Sequence, residues 1–400
     1  MKLADRLEHL GTETAFAVSA EAAAFAAEGN KVYPFHLGDM NIKTPQNIID
    51  AAFKAASDGK TGYCPNYGIP ALRECLAQEI SDTRGVSYSA DNVVIQPGGK
   101  PSIGKFVLAL MNPGDEVLYP SPGYPIYESQ IEFHGGRAVP YGFKEGNQNF
   151  ELDPDAIARS ITPRTRALIY NDLHNPTGAE SSAEEMRAIA EIAIKNDLIV
   201  LSDEAYFDIR YAGDSKSIVT LPGMHERSVI LYTFSKKYAM TGWRLGASIG
   251  PKVIVDCVAK LNVNDESCSN HFIQYGAIEA LTGSQTGATE IRKELEKRRN
   301  KAVDILDTIP GIRCYRPNAT FYLFPNVTEL MRTKGMENDY EGFRRRVMHE
   351  TGVSFCTREH FGRAQDTESQ RYIRLAYSGI DAQEIEVGLG NFKQWAQTST

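Results

Sequence analysis

Short apolar runs alternate with segments of helical periodicity through the middle of the chain. Most of the runs show no polar alternation, which is typical of strands that helices cover on both faces, as in a parallel sheet. The predicted strands are Val93–Ile95, Glu116–Tyr119, Ala167–Tyr170, Leu198–Leu201, Val229–Tyr232 and Leu245–Ile249. Between them lie helical patterns such as Ser182–Asn196. This order predicts repeated strand–helix–strand units and an α/β fold with a doubly wound, mainly parallel sheet.

The two ends of the chain follow a different pattern. The N-terminal part predicts helices over residues 19–29 and Asn47–Ala56. Past Gly283 the pattern predicts a long charged helix over Thr289–Asp307. It also predicts two strands, Thr320–Phe324 and Tyr372–Tyr377. The basic run Arg344–Arg346 is typical of a solvated helix face.

These patterns predict two domains. A large α/β domain is expected over residues 46–294. A smaller α+β domain is expected to combine residues 1–45 with residues 295–400.

Composition narrows the classes of function. The chain has 400 residues, 24% of them charged, and a formal net charge of −8. A negative net charge provides no basic surface for binding nucleic acid. No apolar stretch approaches the length of a membrane span. Six widely spaced cysteines form no CxxC pair, and no His/Cys/Asp/Glu spacing suggests a metal site. We therefore expect reduced thiols and a cytoplasmic location.

Several of the predicted strands are followed by segments that could bind a ligand. Gly98 and Gly99 follow the first strand and precede the start of a helix, where free N–H groups attract anions. An Asn-Pro loop, NDLHNPTG, follows another strand, and Asp203 and Lys236 each stand at a strand end. Alone, each segment is compatible with an ordinary turn, loop or solvated lysine. Together, on one sheet edge, they provide the equipment for pyridoxal phosphate: a lysine for the Schiff base and an acid for the pyridine nitrogen.

The chain resembles the class I/II aminotransferases of the fold-type-I pyridoxal-phosphate family. The motifs that carry the resemblance are NPTG, Asp-Glu-x-Tyr and SKxxxMTGWRLG, and the likeness extends from about Thr14 to the C-terminus. The details are most similar to the bacterial and archaeal aspartate-aminotransferase-like branch.

The resemblance implies roles toward the cofactor. Lys236, rather than Lys237, is implied as the lysine of the Schiff base, and Asp203 as the partner of the pyridine nitrogen. The remaining implied cofactor contacts are Asn175 and Tyr206 to the ring oxygen, Tyr124 stacked on the ring, and Gly99, Lys100, Thr233, Ser235 and Arg244 around the phosphate. Lys236, Asp203 and Tyr206 are the implied catalytic residues.

The resemblance also implies how substrates and subunits are arranged. Arg374 corresponds to the arginine that binds the substrate α-carboxylate in a bidentate fork, which a lysine cannot copy. Gly38 and Asn175 would lie beside that carboxylate. Tyr63 corresponds to a tyrosine that reaches the phosphate of the neighbouring subunit. A homodimer with shared active sites follows.

The expected reaction is amino transfer between an L-amino acid and a 2-oxo acid by a ping-pong mechanism. Lys236 would move a proton from Cα, and 2-oxoglutarate or oxaloacetate would accept the amino group. Lys100 either reaches the distal carboxylate of acidic substrates or serves the phosphate loop. The unusual segment Met40–Lys43 keeps an aromatic or other specificity open.

Other functions are compatible with parts of this pattern. A pyridoxal-phosphate-dependent lyase would share every cofactor residue. A cofactor-sensing regulator would need a DNA-binding module, for which the residues ahead of Gly38 are too few and lack a basic helix. A plain anion-binding module would not need Lys236 and Asp203 together.

Overall fold

The computed structural model describes residues 2–11, 14–147, 149–365 and 368–398. The strands are β1 (Tyr33–Pro34), β2 (Val93–Gln96), β3 (Glu116–Pro120), β4 (Arg137–Tyr141), β5 (Phe143–Glu145), β6 (Phe150–Leu152), β7 (Thr165–Tyr170), β8 (Ile199–Asp203), β9 (Ser228–Thr233), β10 (Gly246–Ile249), β11 (Tyr322–Leu323), β12 (Val353–Ser354), β13 (Cys356–Thr357) and β14 (Ile373–Ala376). The α-helices are α1 (Ala15–Ala27), α2 (Gln46–Ser57), α3 (Pro70–Arg84), α4 (Lys100–Leu110), α5 (Ile126–Phe133), α6 (Pro154–Arg159), α7 (Ala183–Lys195), α8 (Lys252–Asp265), α9 (His271–Thr282), α10 (Thr286–Leu306), α11 (Thr328–Thr333), α12 (Tyr340–Thr351) and α13 (Ala382–Gln397).

A seven-stranded sheet in the order β2-β10-β9-β8-β7-β3-β4 forms the centre of the molecule. Consecutive residues of its strands point into different apolar clusters. In β9, Ile230 and Tyr232 join one cluster while Val229 and Leu231 join another. Burial on both faces explains why the sequence of these strands does not alternate. The predicted α/β class is therefore observed.

Strand β10 is the exception to the parallel arrangement, since it pairs antiparallel with both β2 and β9. A parallel return needs a crossover, usually through an α-helix. The connection from Thr233 to Gly246 holds only a short 3₁₀ turn, Thr241–Trp243. The chain therefore reverses direction there and carries the Lys236 loop back across the sheet edge.

The N-terminal segment and the last third of the chain share one apolar core. Strand β1 pairs in parallel with β12, and β14 lies between β11 and β13 in an antiparallel sheet. Phe35 from the N-terminal segment is buried in the same cluster as Phe321, Phe343 and Phe392. The boundaries between residues 45 and 46 and between 294 and 295 stay a prediction.

The basic run on α12 differs from the solvated face that the sequence predicts. The Arg344 side chain is 1% exposed and pairs with Glu341 and with Glu21 of α1. Arg345 and Arg346 are 58% and 40% exposed. The prediction is wrong for Arg344 because α1 covers that side of α12, and local charge pattern carries no information about a distant helix. Within the described parts of the chain, no helix has the length and apolar character needed to cross a membrane.

Candidate active site

A cavity of about 490 Å³ lies at the carboxyl ends of β8 and β9. This is the edge where open α/β sheets bind ligands. The predicted site residues that line it are Gly38, Gly99, Lys100, Tyr124, Asn175, Asp203, Tyr206, Thr233, Ser235, Lys236, Arg244 and Arg374. The predicted residue outside the cavity lining is Tyr63, whose side chain is 89% exposed.

Asp203 ends β8 and is buried, with a donor on each carboxylate oxygen. The Tyr127 hydroxyl donates to Oδ2 at 2.5 Å, and the Ala205 backbone N–H donates to Oδ1 at 3.2 Å. Burial raises the pKa of Asp203 above its ordinary value, while the Tyr127 hydrogen bond and the positive charge of Lys236 oppose that rise. A buried carboxylate of this kind is stabilised further by a cationic partner in the cavity.

The two neighbouring lysines have different surroundings. Lys236 Nζ lies in the cavity, 3.0 Å from the Gly38 carbonyl to which it donates, and 5.2 Å from the ring centre of Phe321. Lys237 Nζ instead lies 3.0 Å from Glu79 and 3.2 Å from Asp208. Lys237 is held by these ion pairs, and Lys236 is the one of the two that lines the cavity.

The glycine pair after β2 makes room for an arginine. Gly98 has φ +102°, and a Cβ built there would lie 2.3 Å from Arg244 Nη2. Gly99 is the N-cap of α4 and lines the cavity together with Lys100, so the N-terminus of this helix, with its free N–H groups, lies at the cavity edge. Thr233 and Ser235 add two hydroxyls, which are hydrogen-bonded to each other at 2.9 Å. Guanidinium, hydroxyls and helix N-terminus form a cradle for an anion.

Arg374 lies in β14 with its guanidinium between two aromatic rings, those of Tyr322 and Phe361, at 4.6 and 4.5 Å. Its Nη1 donates to Asn175 Oδ1 at 3.1 Å, and its Nη2 donates to the His36 carbonyl at 2.8 Å. The buried Nε has no hydrogen-bond partner among the described residues. A buried arginine with an unused donor is suited to binding a carboxylate.

Tyrosines define the walls of the cavity. The hydroxyls of Tyr206 and Tyr322 lie 2.7 Å apart. Burial raises the pKa of Tyr206 well above its usual value, and Tyr322 adds to the effect, so the phenol stays protonated. Tyr124 precedes α5, and the ammonium of Lys100, at the start of α4, lies 5.8 Å from its ring centre. A Cβ at Gly38 would lie 2.3 Å from the Tyr322 hydroxyl, so this position requires glycine.

Several residues that line the cavity have no role in the sequence-based prediction, among them Asn171, Tyr127 and Tyr322. Asn171 Nδ2 donates to the Asp203 carbonyl at 2.9 Å, and its Oδ1 accepts from the Asn175 N–H at 3.0 Å. Asn171 thus ties the Asn-Pro loop to the end of β8. No local sequence signal distinguishes Tyr127, because its role depends on the contact with Asp203, which is distant in the chain.

The residues present fit pyridoxal phosphate. The anion cradle at Gly98–Gly99 suits the phosphate, and a Cβ at Gly98 would displace the Arg244 guanidinium that belongs to this cradle. Asp203 is a buried carboxylate suited to a protonated ring nitrogen, and Lys236 offers an amine inside the same cavity. In the described ranges of the chain, no group of three or more His, Cys, Asp or Glu side chains could hold a metal ion.

Comparison with known proteins agrees with this geometry. The family model for aminotransferase class I and II matches residues 31–392. An aspartate aminotransferase of Geobacillus stearothermophilus is 35% identical, over 97% of each chain. The solved structure of Thermus thermophilus aspartate aminotransferase with maleate superposes with a TM-score of 0.89 at 28% identity, covering 98% of this chain and 99% of that one. An alanine aminotransferase from Pyrococcus furiosus gives a TM-score of 0.90 at 27% identity, covering 99% and 100%.

These findings confirm the fold-type-I architecture and the resemblance inferred from the motifs. They also agree with a cavity that holds a lysine, a buried aspartate and an anion cradle. The chain therefore belongs to the class I and II aminotransferases and is a transaminase that uses pyridoxal 5'-phosphate.

Proposed function

We propose that the protein transfers the amino group of aspartate or glutamate to 2-oxoglutarate or oxaloacetate by a ping-pong mechanism. The observation that supports it is the convergence of Lys236, Asp203, Arg244 and Arg374 on one cavity. These groups supply a base, an acid partner, an anion anchor and a carboxylate fork. Each is needed for amino transfer, and they come from four separate segments of the chain.

The residues act in the following way. Bound pyridoxal phosphate supplies an electron sink for the pair left behind when Cα loses its proton. Arg374 binds the α-carboxylate and so orients the Cα–H bond. Lys236, whose amine lies inside the cavity, would take up that proton and return it, acting as a positioned general base and acid. Asp203 would hold the cofactor through its protonated ring nitrogen, and Tyr206 and Asn175 would hold it through its ring oxygen.

In this proposal, Lys100 selects substrates that have an acidic side chain. Its ammonium lies at the cavity wall above Tyr124 and offers a point charge to a distal carboxylate. The Geobacillus relative is named an aspartate aminotransferase, and the Thermus structure holds maleate, a dicarboxylate. Both agree with an acidic side chain.

The aromatic alternative draws less support from the structure. Met40 and Ile42 pack against the C-terminal apolar core. In this part of the chain, the residues that line the cavity are the three just before Met40, namely Leu37, Gly38 and Asp39. The apolar residues that favour an aromatic substrate therefore lie outside the cavity lining. A lyase on the same fold is tested by following the fate of the amino nitrogen.

The decisive test of substrate class is a donor screen with a Lys100→Ala variant. Losing one partner of a charged hydrogen bond costs about 1.5–3 kcal/mol, or roughly 10- to 150-fold in kcat/KM. We expect that loss for aspartate and glutamate and little change for alanine. Lys31→Ala is the matched control, because Lys31 also lies over a tyrosine ring, at 5.6 Å, and does not line the cavity. Equal losses for all donors would assign Lys100 to the phosphate loop.

A homodimer with shared sites is part of the proposal. Tyr63 is a large aromatic residue exposed on the subunit surface, as expected of a side chain that completes a neighbour's site. Co-expression of Lys236→Ala with Tyr63→Ala chains should restore activity, since hybrid dimers regain one intact site. Failure of the mixture to exceed both parents would contradict shared sites.

A cytoplasmic location is proposed on the six cysteines, all of which are free. Thiols that persist unpaired are typical of a reducing compartment. Fractionation of the native cells with activity assays on each fraction tests this, and recovery outside the cytoplasm would contradict it.

A further inference from the structure

Tyr127 contacts two of the groups proposed to hold the cofactor. It lies in the first turn of α5, is fully buried, and donates its hydroxyl to Asp203 Oδ2 at 2.5 Å. Its ring also packs edge-to-face against Tyr124, with ring centres 5.7 Å apart and an interplanar angle of 86°. One side chain thus supports both the acid partner of the ring nitrogen and the ring that stacks on the cofactor.

The hydrogen bond has a fixed direction. Burial raises the pKa of Tyr127 well above its ordinary value, and the neighbouring Asp203 charge raises it further. The phenol therefore stays protonated and is the donor to Asp203. Of the two oxygens of Asp203, Oδ1 accepts from the Ala205 N–H, so Tyr127 and the backbone together define the plane of the carboxylate.

We propose that Tyr127 is a positioning residue for the reaction, which aligns the Asp203 carboxylate toward the ring nitrogen and keeps it ionised. Without the hydroxyl, the carboxylate can rotate about its Cβ–Cγ bond, and its buried charge loses a donor. The ring nitrogen then holds its proton less firmly, and the electron sink weakens. This inference rests on the proposed role of Asp203.

The test compares Tyr127→Phe with Tyr141→Phe in the holoenzyme. Tyr141 is the matched control, because it is also buried and its hydroxyl donates to a backbone carbonyl, that of Ile169, at 2.8 Å. It does not line the cavity of the site. Only folded, cofactor-loaded protein from gel filtration is titrated. Asp203→Asn is measured beside them as the variant that removes the carboxylate charge.

The readouts are the pH midpoint of the visible absorption band of the bound cofactor and a separation of kcat from KM. For Tyr127→Phe we expect the midpoint to rise in the same direction as in Asp203→Asn and by less. We also expect kcat to fall about 10-fold, as for loss of a hydrogen bond to a charged group, with KM for the amino donor changing less than about twofold. Tyr141→Phe should change neither.

Two results would overturn the inference. One is an unchanged midpoint and kcat in Tyr127→Phe, and the other is the same shift in Tyr141→Phe, which would indicate general loosening of the fold. If the midpoint moves in Asp203→Asn and not in Tyr127→Phe, Tyr127 alone loses its role. If Asp203→Asn itself leaves the midpoint unchanged, the proposed role of Asp203 fails as well.

Discussion

Substituting Gly98 by alanine perturbs the anion cradle in a way whose magnitude follows from the structure. The new Cβ would lie 2.3 Å from Arg244 Nη2 and 2.8 Å from its Cζ. Ordinary contact distances require the guanidinium to retreat by roughly 1 Å. Because a hydrogen bond weakens steeply with distance, Arg244 then loses its charged contact with a phosphate.

The expected loss of cofactor affinity is that of one charge-assisted hydrogen bond, about 1.5–3 kcal/mol, or roughly 10- to 150-fold in Kd. Gly98 also has φ +102°, and a side chain at a positive φ costs about 1–3 kcal/mol of stability by itself. Gly114→Ala separates the two effects. It has φ +87° and no atom within 4 Å of a built Cβ, so it carries the backbone strain without the clash.

The assay is titration of the apoenzyme with pyridoxal phosphate, followed by absorbance, alongside urea unfolding of each variant. Both variants should lose similar stability. Gly98→Ala should also bind the cofactor at least about 10-fold more weakly than Gly114→Ala. Equal affinities in the two variants would refute the assignment of Arg244 and the glycine pair to the phosphate.

Three further outcomes are expected. Borohydride reduction and peptide mapping should place the pyridoxyl group on Lys236, and finding it on Lys237 would overturn the assignment. Arg374→Lys should lower kcat/KM for every amino donor by about 10- to 150-fold, because lysine keeps the charge and loses the fork, and a loss confined to acidic donors would contradict this role. Burial, with the charges of Arg374 and Arg344, lowers the pKa of His36 to about 4, so the unfolded chain binds a proton that the folded protein does not as pH falls below about 6.5. This residue should therefore lower the free energy of unfolding by about 2 kcal/mol between pH 7 and pH 5. Urea unfolding at several pH values should show that the free energy of unfolding of His36→Asn depends less on pH than that of the wild type.

Much of the secondary structure is predictable because local patterns determine it. The helix predicted over Ser182–Asn196 is observed at Ala183–Lys195, where Ser182 and Glu185 form a capping box. The apolar strands are likewise found within a few residues of their predicted bounds. Periodicity and caps are properties of neighbouring residues, so the sequence displays them directly.

The direction of a strand and the contacts between distant segments are harder to predict from the sequence. The apolar run of β10 reads like its parallel neighbours, and its reversal follows from the short connection after β9. The burial of Arg344 depends on α1, more than 300 residues away in the chain. Neither the direction of β10 nor the burial of Arg344 is visible in the hydrophobic and charged pattern of the residues around it.

The candidate site shows the same division. Motif residues such as Lys236 and Asp203 stand out because several such segments occur together at the ends of apolar strands. Tyr127 does not stand out, since it resembles other buried tyrosines such as Tyr141 and Tyr170. Its importance comes from the approach of Asp203, 76 positions further along the chain, which only the folded structure shows.

The most direct test of the proposed reaction is to follow the amino nitrogen. The holoenzyme is mixed with ¹⁵N-aspartate and 2-oxoglutarate, and the products are observed by NMR. Transfer predicts ¹⁵N-glutamate and oxaloacetate in equal amounts, with no product from Lys236→Ala. Release of ¹⁵N-ammonium in place of labelled glutamate would indicate a lyase and contradict amino transfer.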